Sequence, residues 1–281
     1  MLVRGTAHVL LAFDLGFEID LAKAGQRLGT GARAGSFKHK GAPRPEAEAL
    51  GRPLRLTTRA EPPTLAGRAP AEELEISLYT FGAACLTYSL PLELEFEALV
   101  ATSELLYDNA ALLEHGRAQA RALLEHLGDA VREPLLAEEI EDYVVYSLRV
   151  PAGAPAELEF EQRELLARVL RAEPGALSLH EVENALDGRT AYGPDELVLV
   201  DWFAALLIGA DMEDERRVLE LTTVELVELR FLDGRLERRL EEAYGLLRDA
   251  RRPRFAFALR KQEIERLARF QADSAILHEN F

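Results

Sequence analysis

Cysteine, tryptophan and methionine are scarce in this chain of 281 residues, which has one, one and two of them. A lone cysteine cannot form an intrachain disulfide, so the disulfide-rich class of secreted domain is excluded. Cys85 stands in the apolar run 81–90, where a small buried side chain is expected more often than a nucleophile. The cysteine usage therefore predicts a cytoplasmic protein.

Long hydrophobic runs and catalytic motifs are missing as well. The longest apolar run, 197–210, is interrupted by Asp201 and is shorter than the roughly 20 residues that a membrane-spanning helix needs. No Gly-x-Ser-x-Gly, His-Glu-x-x-His or paired-cysteine motif occurs, so the usual hydrolase and zinc signatures are absent. We therefore expect no transmembrane segment, and we predict no catalytic residue, metal site or cofactor.

Positive charge is in deficit, with 33 Lys and Arg against 49 Asp and Glu and a net charge of -16. An acidic body repels phosphates, so no nucleic-acid partner is expected. The exception is the stretch 23–68, which has ten basic residues against three acidic ones. Aromatic residues are not interleaved with its basic ones, as a single-strand binder would require. The favoured interpretation is that this stretch lies against the acidic body of the same chain or is simply solvated.

The order of the patterns predicts an α+β protein whose first part, residues 1–150, is a mixed domain of strands and helices. A basic Gly/Pro-rich loop, 29–70, interrupts it and contains one strand-like piece, 54–59. The other predicted strands are 7–13, 73–80, 83–90 and 140–150, and the predicted helices are 19–28, 96–107 and 110–127. The Pro- and Gly-rich segment 151–155 is interpreted as a linker.

The second part, residues 156–281, is predicted to be a helical domain. A helix at 158–171 is followed by one that Ser178 and Glu181 begin as a capping box. The remaining elements are a short β-hairpin at 189–207 and two long helices, 211–249 and 255–281. Because the Arg251-Arg252-Pro253 break separates these helices, we expect them to form a long antiparallel hairpin.

Apolar residues recur at helical spacing along both long helices and carry the leading functional hypothesis. One face of a helix collects such positions, and an exposed face of this kind pairs with another helix. The chain is therefore predicted to be a non-enzymatic scaffold or interaction protein that self-associates or binds a partner helix. The proposed interaction residues are Leu226, Leu229, Leu232, Leu236, Leu240, Leu247, Ile264, Leu267 and Phe270.

A possible polar site is built from residues that bracket the apolar patterns. Its members are Asp201, Trp202, Glu220, Glu228 and Arg230. A carboxylate inside an apolar strand needs a partner, and for Asp201 we expect an arginine of the next helix, Arg216 or Arg217. The alternative function is a metal-dependent enzyme that uses Asp201, Glu220 and His180, which requires these three side chains to meet in one pocket.

A third hypothesis concerns residues 160–207, where a helix, a capped helix and a hairpin follow one another as in a winged helix. A winged helix that binds DNA presents a basic recognition helix. Here that helix contains Glu181, Glu183 and Asp187, so a protein-binding regulator is the more natural interpretation.

Three segments resemble the YagE and required-for-meiotic-nuclear-division family, in its soluble bacterial branch. They are the strand pair 79–88, the run Tyr192-Gly193-Pro194-Asp195-Glu196 with its apolar continuation to Trp202, and the start of the long helix, 218–230. The resemblance implies a scaffold or assembly protein that ends in long antiparallel helices. Because residues 275–281 contain no Gly or Pro helix stop, we also expect the chain to be truncated at its C-terminus.

Overall fold

The strand that opens the chain lies at the centre of a mixed sheet in the computed structural model, which describes residues 1–29, 33–34, 52–150, 154–191, 193 and 195–249. The strands of the described residues are β1 (Leu2–Asp14), β2 (Glu18–Ile19), β3 (Arg33–Ala34), β4 (Leu54–Arg59), β5 (Glu73–Leu78), β6 (Ala83–Glu95), β7 (Val131–Arg132), β8 (Ile140–Arg149), β9 (Arg189–Thr190), β10 (Leu197–Val200) and β11 (Ala204–Ile208). The predicted α+β class is confirmed.

The helices of the described residues are α1 (Leu21–Leu28), α2 (Leu99–Leu106), α3 (Ala110–Leu127), α4 (Ala154–Glu161), α5 (Arg163–Arg171), α6 (Leu179–Ala185) and α7 (Glu213–Asp249). Short 3-10 turns precede α2 and follow α3. The helix predicted at 158–171 is interrupted at Gln162 and so forms α4 and α5. The predicted helix 255–281, and with it the hairpin, lies outside the described residues.

The main sheet has the strand order β3-β4-β5-β6-β1-β8-β11-β10-β9, and β2 pairs with β7 separately. All neighbours are antiparallel except β8 and β11, which are parallel. A parallel pair needs a crossover connection, and α4, α5 and α6 lie in the segment that makes it. The main sheet therefore continues across the predicted boundary near residue 150.

Strand β1 is apolar along most of its length because both of its faces are covered. Val9, Leu11 and Phe13 belong to the larger core, together with buried residues of α2, α3 and α5. Leu10 and Ala12 point to the other face, where α7 lies. A strand that is buried on both faces has a nearly continuous apolar sequence instead of an alternating one.

Local signals place two of the helix boundaries. Helix α3 begins after Asn109, whose side chain accepts a hydrogen bond from Leu112 N, and it ends at Gly128. Helix α6 begins after Ser178, whose hydroxyl accepts a hydrogen bond from Glu181 N at 3.2 Å. The predicted range 110–127 and the predicted cap at Ser178 are both confirmed.

Candidate functional site

Helix α7 crosses the face of the sheet that the other helices leave free. Its side towards the sheet, here called the inner face, buries Val224 and Val227 against Leu10, Cys85 and Val145. Burying a side chain of this size stabilises the folded state by about 1.5–3 kcal/mol. The same interface also buries charged residues, and these fall into two groups that differ in their pairing.

The first group, here called the ion-pair cluster, joins the first turns of α7 to β4 and β5. It consists of Arg55, Glu75, Glu213, Arg216, Arg217 and Glu220, so three guanidinium groups face three carboxylates. Glu220 is 0% exposed and Arg216 is 3% exposed. Balanced pairing of this kind offsets the cost of moving these charges out of water.

The contacts in the ion-pair cluster bind α7 to two strands. Arg216 donates to the carboxylate of Glu213 through Nε at 2.9 Å and through Nη2 at 2.7 Å. Arg217 Nη1 donates to Glu220 Oε2 at 2.9 Å and also contacts Glu75. The hydroxyl of Tyr79 donates to Glu220 Oε1 at 2.8 Å. Each buried carboxylate of the cluster therefore has cationic or hydroxyl donors.

The pKa values in this cluster show that pairing outweighs burial. Burial alone raises the pKa of Glu213, but the hydrogen bonds and the charge of Arg216 lower it to about 2. The pKa of Glu75 is also lowered, because Arg216 and Arg217 overcome the effect of its burial. Neighbouring His8 favours its neutral form, since burial and the charge of Arg216 both lower its pKa, to about 4.

The second group, here called the carboxylate cavity, lies further along α7, where Asp14 at the end of β1 and Glu228 line a space of about 60 Å³. Asp14 Oδ1 accepts a hydrogen bond from Gly16 N at 2.8 Å. Glu228 is 3% exposed, and its Oε1 has no hydrogen-bond partner. The remaining lining residues are Gly16, Phe17, Phe81, Glu133, Leu135, Phe231, Leu232 and Arg235.

In this cavity burial outweighs pairing. Burial raises the pKa of Glu228 to about 9, and the nearby charge of Asp14 raises it further in the same direction. Burial also raises the pKa of Asp14 to about 7, although the Gly16 N–H and the charge of Arg235 oppose it. Two carboxyl groups that titrate near or above neutral pH are able to hold a proton or to accept hydrogen bonds from a cation.

Helix α7 has a second apolar stripe on its outer face, opposite the sheet. Leu226, Leu229, Leu236 and Leu240 form this leucine seam and are 40%, 55%, 43% and 56% exposed. Leu232 is not part of it, since this residue is half-buried on the inner face beside the carboxylate cavity. Leu247, Ile264, Leu267 and Phe270 lie where the structure does not describe side chains.

The proposed polar site is only partly brought together. Glu220, Glu228 and Arg230 all belong to α7, and Arg230 forms an ion pair with Glu141 of β8 at 2.5 Å. Trp202 lies instead in the turn between β10 and β11, where it is 80% exposed. Asp201 accompanies it in that turn, so the five residues do not form one site.

The expected partner of Asp201 is wrong. Its carboxylate forms an ion pair with Arg171 of α5 at 2.5 Å, not with Arg216 or Arg217. The reason is topological: α5 packs on the first face of the sheet, next to the end of β10, whereas both predicted arginines lie on the second face. Arg171 also has Glu181 of α6 at 3.9 Å.

The residues of the predicted metal enzyme are distributed over separate contacts. His180 is exposed on α6, where its Nε2 lies 3.3 Å from Asn184 Nδ2. Asp201 contacts α5, and Glu220 belongs to the ion-pair cluster across the sheet. Within the described ranges, no group of three or more His, Cys, Asp or Glu side chains is placed to hold a metal ion.

The segment predicted as a winged helix has its elements in the expected order, α5, α6 and then short strands. Strand β9 pairs with β10, β10 pairs with β11, and β11 pairs in parallel with β8. The short strands are therefore the edge of the main sheet, and the predicted hairpin at 189–207 consists of three strands.

Four basic residues of the stretch 23–68 contact acidic residues of the same chain. Lys23 and Arg27 both contact Asp129, and Lys23 Nζ lies 2.7 Å from its Oδ2. Arg55 reaches Glu220 at 3.3 Å, and Arg59 reaches Glu72 at 2.5 Å. Self-contact is thus observed for these four residues, and much of the remaining stretch lies outside the described residues.

Sequence patterns missed most members of the two charged groups. Arg55 and Glu75 lie on strands with ordinary alternation, and nothing local distinguishes them from exposed residues. Asp14 had a signal, because it ends a long apolar run and is followed by a glycine two positions later. A carboxylate at such a place is buried whenever the strand is central, and this strand is.

The family described as "Uncharacterized protein MJ0711, N-terminal domain" matches residues 4–215, which is more than half of the chain. The chain belongs to this family. The match covers the main sheet and ends in the first turn of α7. No curated protein and no solved structure matches the chain significantly.

This membership corrects the resemblance to the YagE and required-for-meiotic-nuclear-division family, which is wrong. That resemblance depended on the order of strands and long helices and on short apolar-aromatic runs. Many α+β proteins share such an order without common ancestry, so it carries little information about family. In the part of the chain that the structure describes, no helix combines the length and the apolar character needed to cross a membrane.

Proposed function

We propose that this chain is a non-enzymatic interaction protein that self-associates through the outer face of α7. The observation that carries the proposal is the leucine seam, whose four leucines are each at least two-fifths exposed. An apolar stripe of this regularity on an exposed helix marks a contact surface for another helix.

The spacing of the seam favours a helical partner. Leu226, Leu229, Leu236 and Leu240 follow steps of three, seven and four, as in the core positions of a heptad. Asp233 occupies the remaining core position between them. A single polar residue at such a position selects the register and the number of helices at some cost in stability.

Charge supports the hairpin as the unit that associates. Residues 213–249 contain eleven acidic and seven basic residues, whereas residues 250–281 contain four acidic and seven basic ones. We propose that these two segments form an antiparallel hairpin in which Ile264, Leu267 and Phe270 meet the seam. Two helices alone bury little apolar surface, and a second copy completes a four-helix arrangement.

A cytoplasmic location is part of the same proposal, since the single cysteine is free and buried.

The test is light scattering after size exclusion on the chain and on a variant with Leu229→Asp and Leu236→Asp. We expect the parent to be a dimer or larger and the variant to be a folded monomer, because charges in the seam oppose helix pairing. The matched control is Leu179→Asp, which changes a leucine that is 84% exposed on α6. A monomeric parent, or a control that dissociates as the double variant does, contradicts the proposal.

A further inference from the structure

The carboxylate cavity contains an ionisable group that the described residues leave without a hydrogen-bond partner at one oxygen. Glu228 is 3% exposed, it lines the cavity, and its Oε1 has no hydrogen-bond partner. An unpaired buried carboxyl group destabilises the folded state relative to a glutamine or an apolar residue of similar size. An unsatisfied buried group that lines a cavity is a candidate for ligand binding.

The charges that face Glu228 are mostly acidic. Asp14 lies opposite it at the end of β1, and Glu133 comes from the segment after β7. The single basic lining residue is Arg235 of α7, whose guanidinium lies 5.6 Å from the centre of the Phe231 ring. Glu139 also acts on Asp14 from the same segment as Glu133. The cavity is therefore complementary to a cation.

The walls select an organic cation instead of a metal ion. Phe17, Phe81, Phe231, Leu135 and Leu232 surround the carboxyl groups with apolar surface. Hard divalent cations require about six oxygen ligands, and the described residues hold no group of three acidic, histidine or cysteine side chains suited to a metal. Aromatic faces attract cations as well, and one face of Phe17 is already occupied by Arg132, which lies 4.1 Å from the ring centre.

The volume limits the size of the ligand. A cavity must have at least about 10–15 Å³ to hold a single water molecule. The carboxylate cavity, with about 60 Å³, therefore accepts a group of roughly four to six non-hydrogen atoms. We propose that this cavity binds a primary ammonium group on a short alkyl chain, with Glu228 and Asp14 accepting its N–H hydrogen bonds. The phenylalanine and leucine side chains then cover the alkyl part.

Two sources offer this chemistry: a free alkylamine and the side chain of a lysine in another polypeptide. The cation places its charge beside Glu228 and favours the ionised carboxylate, so binding near pH 8 releases a proton. The number of protons released is therefore a second readout, independent of affinity, and it is measured from binding heats in buffers with different ionisation enthalpies.

The experiment is titration calorimetry on the full chain with n-butylammonium chloride, with a short lysine-containing peptide, and with 1-butanol as the uncharged control. Saturable binding of butylammonium with proton release, and none of butanol, is the expected result. Saturable binding of the peptide alone supports the same chemistry with a lysine as its source. Absence of saturable binding by both cations overturns the proposal.

Variants test the assigned acceptors. Glu228→Gln keeps the shape of the side chain and is expected to weaken binding by at least about tenfold and to abolish proton release. Asp14→Asn provides a second, independent variant, which is expected to weaken binding while proton release from Glu228 persists. Glu225→Gln is the matched control, since it makes the same change three residues earlier on α7, outside the cavity lining. Equal affinity in the parent, Glu228→Gln and Asp14→Asn overturns the assignment.

Discussion

The two charged groups under α7 share one interface and differ in what faces each carboxylate. In the ion-pair cluster every buried carboxylate contacts a guanidinium, and the pKa values of Glu75 and Glu213 are lowered. In the carboxylate cavity Glu228 has no such contact, and its pKa is raised to about 9. The two groups also differ in exposure, since the side chains of Glu75 and Glu213 are 27% and 41% exposed, whereas Glu228 is 3% exposed. Pairing and exposure together therefore account for the opposite shifts in pKa.

The comparison implies opposite dependences of stability on pH. A carboxyl group with a lowered folded-state pKa stabilises the fold above its unfolded pKa and loses that contribution as the pH falls, as for Glu213 between about 4.5 and about 2. Glu228 has a raised pKa, so its contribution is present below about 4.5 and is lost as the pH rises to about 9. The interface is thus most stable at mildly acidic pH.

Removing one partner of the ion-pair cluster has the largest expected effect. Arg216→Met leaves Glu75, Glu213 and Glu220 without their shared donor, so we expect a loss of about 3–5 kcal/mol in the free energy of unfolding. The measurement is denaturant unfolding at neutral pH. The matched control is Arg59→Met, whose ion pair with Glu72 is exposed and should change stability by less than about 1 kcal/mol. Similar losses in both variants would show that the cluster is not buried as described.

Changing the carboxylate cavity has a smaller effect with the opposite sign. Glu228→Gln removes an unsatisfied ionisable group, so near pH 8 we expect the free energy of unfolding to rise by about 1–3 kcal/mol. At about pH 4, where Glu228 holds its proton in both the folded and the unfolded chain, the two proteins should be equally stable. Thermal unfolding at the two pH values measures the difference. A variant that is less stable than the parent at pH 8 contradicts the comparison.

The rate at which a thiol reagent labels Cys85 distinguishes the inner face of α7 from its outer face. Its thiol is fully buried under α7, and burial raises its pKa, so a thiol reagent reacts only when α7 opens. We expect Arg216→Met to accelerate labelling by about tenfold or more, and Leu229→Asp to leave the rate unchanged because this residue faces outward. Equal acceleration by both changes would mean that the seam also holds α7 on the sheet.

Much of the fold was predictable because its signals are local. Helix α3 has a cap at Asn109 and a stop at Gly128, and strand β4 was found at its observed limits, 54–59. The sheet order was not predictable, since the pairing of β8 with β11 joins residues about 60 positions apart. For the same reason, a boundary near residue 150 was expected where the sheet continues.

In the two charged groups, only the residues of α7 could be predicted from the sequence. Glu220 and Glu228 were predicted to belong to a polar site because they bracket the apolar stripe of the long helix. Their partners Arg55, Glu75 and Asp14 come from strands far away in sequence, and only the folded sheet brings them under α7. The error over Asp201 has the same origin, because sequence proximity favoured α7 although α5 lies closer in space.

The family match has a boundary that divides the ion-pair cluster. It ends at residue 215, so Arg55 and Glu75 lie inside the family domain, whereas Arg216, Glu220 and Glu228 follow it. The ion-pair cluster therefore joins the domain to the helix that extends it. The same helix places Glu228 against Asp14 and presents the leucine seam to solvent.

The most direct test of the central claim is a carboxyl-carbon NMR titration of the glutamates under α7. We predict that Glu228 titrates near pH 9 and Glu213 near pH 2, on either side of the ordinary glutamate pKa of 4.5. Assignment by Glu228→Gln and Glu213→Gln identifies the two signals. Titration of both residues together near 4.5 would contradict the claim that Glu213 is paired with arginine and that Glu228 is buried without such a partner.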